Sequence, residues 1–246
     1  MTRLITKNTQ KMIFIAAAVG VLGIGSAAAQ TAGTATPRPV RVRAKLDGFD
    51  LTPKNAAPPR RPNQIGGVSR GIGTLVLYAP TMGKSYTLTP TFSWRSDDPK
   101  GEYTLRISQP GMGADALYET KIVGDHFTYP ADAPALKPGE TYVWTVQPTV
   151  DMLGGPASAS LVIVGGTERD AVDAALARAK AETDPAAAAA KVYTDMRLWF
   201  DAVSAYSSLI DRFPNRSEFY QARADLYDQL PATSALADAD AAKVHK

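Results

Sequence analysis

The chain has 246 residues, with 27 basic and 24 acidic side chains and no cysteine. That near balance gives no overall basic field for nucleic acid, and the missing cysteine excludes disulfides, thiolate metal centres and an acylated-cysteine lipid anchor. The length suffices to bury a core without such staples, in one or two domains.

Residues 1–29 carry the three parts of a bacterial secretory signal in order. Arg3, Lys7 and Lys11 make a positive start, Met12 to Gly25 is an almost unbroken apolar and small run, and Ser26-Ala27-Ala28-Ala29-Gln30 offers an Ala-x-Ala site. Cleavage is expected between Ala29 and Gln30. The rival reading is an uncleaved anchor, but the run is short of a ~20-residue span and ends in small residues. The expected destination is periplasmic or extracellular. No later segment approaches the length of a membrane span. The leader's three cations account for the whole positive excess, so the mature chain is neutral, with 24 charges of each sign.

Residues 30–72 read as a Pro/Arg-rich linker, largely disordered. Small residues from Thr31 to Thr36 precede Pro37, Pro39, Pro53, Pro58, Pro59 and Pro62, with scattered arginines between. Such a composition buries too little apolar surface to offset its ordering entropy. Eight basic residues stand against Asp47 and Asp50 between Gln30 and Gly73. The plain reading is a solvated spacer; the alternative is contact with an acidic polymer or lipid head groups.

From residue 73 to 166 the apolar pattern has period two. Thr74 to Tyr78, Thr87 to Trp94, Tyr103 to Ser108, Leu117 to Val123, Tyr142 to Val146 and Ser160 to Val164 read as strands. Phe92 and Trp94 share a face, as do Tyr103, Leu105 and Ile107. Turn signals at Met82-Gly83-Lys84, Asp97 to Gly101, Pro110-Gly111 and Pro138-Gly139-Glu140 separate them. This spacing predicts an all-β sandwich. Leu136 to Trp144 looks like the corner of immunoglobulin and fibronectin type III sheets, where a tyrosine, here Tyr142, bonds back to upstream backbone.

Residues 167–246 change to helical period. Thr167 and Asp170 resemble a capping box, followed by an Ala-rich helix over Ala171 to Thr183. Asp184-Pro185 starts a second helical stretch, with a break near Met196 and an end before Pro214; a further helix runs from about Ser217 to Leu230 and stops at Pro231. Tyr193, Ala202, Val203, Tyr206, Ile210 and Pro214 fall at tetratricopeptide spacing, and Tyr220, Ala224 and Tyr227 would begin the next unit. A plain helical hairpin fits equally well.

The order of parts resembles a known bacterial family. Arg70-Gly71, Tyr78-Ala79-Pro80, Pro90 to Trp94, Tyr103-Thr104-Leu105, Leu136 to Trp144, Gly165-Gly166 and Leu198 to Ala202 together look like the family called domain of unknown function 928, over about Gly66 to Leu230. The resemblance implies an exported immunoglobulin/fibronectin III-like sandwich followed by an α-helical, tetratricopeptide-like C-terminal region. It assigns no catalytic residue.

Candidate chemistry is thin. Gly67-Val68-Ser69-Arg70-Gly71 fits G-x-S-x-G, but a Pro-rich stretch precedes it, a strand follows it, and only His126 and His245 exist to complete a triad. Gly83-Lys84-Ser85 lacks the earlier glycine and the following helix of a phosphate loop. Two histidines and no cysteine leave no ordinary zinc or copper site. Asp97, Asp98 and Glu102 are candidates for a hard cation, although their segment is first of all a turn. Trp199 and Phe200 are adjacent on a helix, so they cannot face one way; an exposed ring of the two could, with Tyr206 or Tyr220, hold a peptide or glycan, but packing in the core is the favoured reading.

The expected function is therefore an exported non-catalytic interaction or structural protein of the cell envelope, without catalytic residues, metal or cofactor, whose partner is another envelope protein. The alternative is a carbohydrate- or cell-wall-binding module with a glycan partner. A serine hydrolase using Ser69 ranks third.

Overall fold

The computed structural model describes residues 48–52, 75–98, 100–111, 115–149 and 156–244. The leader at 1–29, the linker apart from 48–52, Ser69 with its flanking glycines, and His245 lie outside the described residues.

Among the described residues, eight strands form two sheets. The smaller has the order β1 (Val76–Leu77), β3 (Thr91–Arg95) and β6 (His126–Thr128). The larger has the order β2 (Met82–Ser85), β8 (Ala157–Ile163), β7 (Thr141–Pro148), β4 (Glu102–Ser108) and β5 (Tyr118–Val123). Every pairing is antiparallel except β2 with β8. Period two places one face of each sheet inward. Tyr103, Leu105 and Ile107 of β4 and Tyr142, Trp144 and Val146 of β7 are buried, as are Phe92 and Trp94 of β3. The two sheets meet through aromatic pairs, Phe92 with Trp144 at 4.7 Å between centroids and Trp94 with Tyr103 at 5.8 Å. Each such side chain contributes roughly 1.5–3 kcal/mol by leaving water.

Met82-Gly83-Lys84, expected as a turn, is instead the centre of β2. It pairs in parallel with β8, from Met82 opposite Ser160 to Ser85 opposite Ile163. Glycine is needed there for space rather than for bending. A Cβ on Gly83 would lie 2.7 Å from Cγ of Pro80 and 3.0 Å from Cε2 of Phe200. The strand expected from Thr87 begins only at Thr91, because the preceding main chain turns away to bond a helix.

The corner at Leu136 to Trp144 is pinned at three points. The Lys137 N–H donates to the Tyr142 hydroxyl at 2.9 Å, the Gly139 N–H to the Ile163 carbonyl at 2.8 Å, and the Ile163 N–H to the Glu140 carbonyl at 3.0 Å. Gly165 permits this approach, since a Cβ there would stand 2.5 Å from the Gly139 nitrogen.

Among the described residues five helices follow: α1 (Gly166–Ala179), α2 (Pro185–Asp195), α3 (Trp199–Arg212), α4 (Ser217–Tyr227) and α5 (Ser234–Val244), with a 3-10 turn at Pro231–Thr233. The first starts earlier than its capping box implied. Gly165 is the cap residue, no side chain caps it, and Thr167 lies inside the helix. The second starts as read: Asp184 accepts the Ala187 N–H at 3.1 Å and Pro185 occupies the first turn. Arg197, at φ 59°, makes the break between α2 and α3. No helix among the described residues is long and apolar enough to cross a membrane.

Sheets and helices share one core. It runs from Trp144 and Phe92 through Phe200 and Trp199 to Phe219 and Leu226. Residues 48–52 depart from the spacer expected of their surroundings. Phe49 is buried edge-on against Trp199, at 5.6 Å and 74°, and the Leu51 N–H donates to the Met82 carbonyl at 2.9 Å. A single aromatic residue with a matching pocket overrides the composition around it.

Candidate functional site

The most heavily wired region lies where α3 meets the end of β2. Asp201 stands in the first turn of α3, yet it is only 4 % exposed. Its carboxylate accepts the N–H of Tyr86 at 2.7 Å and that of Thr87 at 2.8 Å. Burial pushes its carboxyl above the usual range, against the opposing pull of these N–H groups and the Ser85 hydroxyl. The surrounding groups are paired in turn. The Tyr86 hydroxyl donates to Asp173 at 2.5 Å, while Arg169 covers the Tyr86 ring at 4.3 Å and donates to the Tyr86 carbonyl at 3.0 Å. Lys84 meets Glu168 at 2.5 Å. Such a set holds backbone in place, tying the end of β2 to the first turn of α3.

Two concave surfaces adjoin the helices. A groove of about 580 Å³ runs between α1 and α2. Ala175, Ala179, Ala188, Val192 and Met196 supply its apolar lining. Of its charged side chains, Lys191 pairs with Asp195 at 2.8 Å and Asp184 with Arg216 at 2.7 Å. Arg178 and Glu182 also line it and carry no ion pair among the described residues.

A smaller cleft of about 220 Å³ separates the three-stranded sheet from α3 and holds Ser93, His126, Ser204, Ser207, Ser208 and Asp211. These residue types are those of an acyl-transfer site, but the bonds differ from one. His126 is 71 % exposed and its Nδ1 meets Asp125 at 2.9 Å, with no serine hydroxyl bonded to the ring among the described residues. The Ser207 hydroxyl donates to the Val203 carbonyl at 2.7 Å and accepts from Arg223 at 2.9 Å.

The remaining sequence candidates are dispersed. Asp98 accepts the Lys100 N–H at 3.1 Å in its own turn. Glu102 pairs with Lys121 at 3.1 Å, and hydrogen bonds from Lys121 and Thr149 hold its carboxyl below the usual range. Among the described residues no group of three or more His, Asp or Glu is placed to hold a metal ion. Lys84 and Ser85 sit in β2, a strand rather than a phosphate loop.

Trp199 and Phe200 both pack in the core, the favoured reading, and neither ring is free to hold a ligand. They are 1 % and 4 % exposed. The start of α3 is wedged between two packing surfaces. Phe200 meets Phe92 of the sheet at 5.8 Å, while Trp199 meets Phe49 and Tyr227. Tyr206 is buried as well and Tyr220 half-buried. Sequence reasoning missed Asp201, since an acid in a first helical turn is ordinary and nothing marks which backbone it bonds. It also missed the clamp between α3, α4 and α5. There Arg223 holds both carboxylate oxygens of Asp240, at 2.7 and 2.8 Å.

Two sheets followed by a helical array, joined by paired polar groups, define a two-part α and β protein. Comparison with protein families then identifies it. The family described as Domain of Unknown Function (DUF928) matches residues 52–238, and the chain belongs to that family. No curated protein matches the chain.

Proposed function

We propose that this is an exported, non-catalytic interaction protein of the bacterial cell envelope. In this reading the two sheets are an immunoglobulin- or fibronectin III-like platform and the helices a tetratricopeptide-like array. The bond from Lys137 to Tyr142 supports the first likeness, because it is the bond such corners make. The small residues of α2 and the aromatic residues of α3 support the second.

One observation carries the functional reading. The buried carboxylates Asp201 and Asp240 are committed to structural bonds, whereas the groove between α1 and α2 combines an apolar lining with Arg178 and Glu182, which carry no ion pair among the described residues. That combination suits a segment of another envelope protein better than a small reactive substrate. A photo-cross-linking residue placed at Ala188, in intact cells, is expected to capture one envelope protein. The same residue at Lys137, on the sheets, is expected not to. Equal capture from both positions, or from neither, refutes the groove. The export part is tested by N-terminal sequencing of the mature protein, with Gln30 expected as the first residue.

A second reading, a glycan- or cell-wall-binding module, draws on Tyr118 and Phe127. Their half-buried rings stack at 6.0 Å and 25° between the two sheets. Retention on cell-wall polysaccharide that is lost in Tyr118→Ala would favour it over the groove.

A further inference from the structure

The two borders of the larger sheet are treated differently. At β2 the border is covered: the Leu51 N–H bonds the Met82 carbonyl, and the Asp50 carboxylate accepts the N–H groups of Thr81 and Met82 at 3.2 and 3.3 Å. At β5 it is open, since among the described residues β5 pairs with β4 and no other strand. An unpaired border is a template for another strand unless proline, a bulge or an inward charge blunts it. The sequence Tyr118-Glu119-Thr120-Lys121-Ile122-Val123 has no proline, and its charges lie on the exposed face, with Tyr118, Thr120 and Ile122 on the other.

Hydrogen-bond alternation shows which groups point outward. The Thr149 N–H donates to the Glu102 carbonyl, so Glu102, Thr104 and Arg106 of β4 bond towards β7. Tyr103, Leu105 and Ile107 then bond towards β5, where they face Ile122, Thr120 and Tyr118. The main-chain N–H and C=O groups of Glu119, Lys121 and Val123 are left facing the open border.

We propose that the occupant of this border is a second copy of the chain, joined β5 to β5, antiparallel, about a two-fold axis at Thr120. In that register Glu119 of each copy lies opposite Lys121 of the other, and Tyr118 opposite Ile122. Each Glu119–Lys121 pair exchanges both of its outward main-chain bonds. The Leu117 N–H donates inward to the Ile107 carbonyl at 2.7 Å, so the joined register ends at Tyr118 opposite Ile122, and Val123, at 69 % the more exposed of the two large exposed hydrophobic residues among those described, flanks it. Charge decides the register. Sliding by two residues sets Glu119 against itself in one direction and Lys121 against itself in the other, and like charges directly opposite are unfavourable. The pairing also extends an existing ladder. Arg106 meets Glu119 at 2.7 Å and Glu102 meets Lys121 at 3.1 Å within the chain, so the sign alternates across four strands of the joined sheets. The interface is independent of the α1–α2 groove and leaves it open.

The test is a charge exchange read by sedimentation velocity over a concentration series. The purified protein is expected to self-associate. Glu119→Lys and Lys121→Glu are each expected to weaken self-association about tenfold, since each sets like charges opposite one another twice. Mixed in equal amounts, they are expected to form a heterodimer of wild-type affinity, because one variant then carries two cations where the other carries two anions. Circular dichroism confirms that each variant is folded. Thr120→Cys supplies an independent readout. It places one thiol on the axis of a chain that has no other, in a pair whose Cα atoms lie ~4.5 Å apart, and it is expected to oxidise to a covalent dimer while Glu119→Cys is not. A monomeric wild type, a mixture no tighter than its components, or equal oxidation of both cysteine variants overturns the proposal.

Discussion

The sheets and the helices solve the same packing problem in opposite ways. Within the sheets, large aromatic and aliphatic side chains fill the interior, and the ion pairs Arg106–Glu119 and Lys121–Glu102 lie at the surface. Among the helices, α3 and α4 extend that core with Trp199, Phe200, Phe219 and Leu226, and charged groups are drawn inward beside them: Asp201 onto the end of β2, and Arg223 onto Asp240 and Ser207. A strand has its orientation set by which face is apolar. An Ala-rich helix has many nearly equivalent rotations about its axis, and a buried directional bond selects one.

That contrast can be broken by removing the inward polar groups. The largest effect is expected from Asp201→Ala, which leaves two buried N–H groups without an acceptor. It should cost roughly 3–5 kcal/mol in urea unfolding, at ~1–3 kcal/mol for each lost partner with some packing loss. Asp201→Asn keeps an acceptor and should cost less, and its pH dependence sharpens the point. Burial raises the folded-state pKa of Asp201 above its ordinary 3.8. The folded state therefore binds this proton more readily than the unfolded state. Stability contributed by Asp201 is fully present below the unfolded value and lost as pH rises through the folded one. Measured against Asp201→Asn, the wild type should gain stability on acidification towards 3.8. A loss would show that the hydrogen bonds, not burial, dominate.

Arg223→Ala comes next, at roughly 2–4 kcal/mol, because it strands Asp240 in a largely buried position. Tyr142→Phe removes the acceptor for the Lys137 N–H and should cost about 1 kcal/mol, a small loss that marks a corner held by several bonds at once. Lys191→Ala should change stability by less than about 0.5 kcal/mol, since its pair with Asp195 is exposed. If it costs as much as Arg223→Ala, location rather than burial governs, and the contrast between the two regions fails. Thermal or urea unfolding of these variants in one buffer checks the series.

The same contrast explains what was legible from residues alone. Period two marked Phe92 with Trp94 and Tyr103 with Leu105 and Ile107, because a strand's inward face is written in adjacent sequence. Asp184-Pro185 marked a helix start for the same local reason. What escaped depends on partners distant in the chain. Gly83 reads as a turn until β8 pairs with its strand and Phe200 closes over it. Trp199 and Phe200 read as core residues that cannot face one way, and how both are buried becomes clear only when α3 is seen between two surfaces. Of the candidate sites, the α1–α2 groove had no signal at all, since alanines that line a groove look like alanines that merely favour a helix.

The seat of Phe49 has a further consequence. Residues 48–52 are joined to Leu75 by 22 intervening residues, so they occupy their seat against Trp199 as an intramolecular ligand. Covalent connection makes that contact independent of protein concentration. A single cut between Thr52 and Leu75 removes the connection while leaving the sheets and helices covalently whole. The short segment would then be free to dissociate, taking Phe49 out of the core and uncovering Trp199 and the border of β2 together.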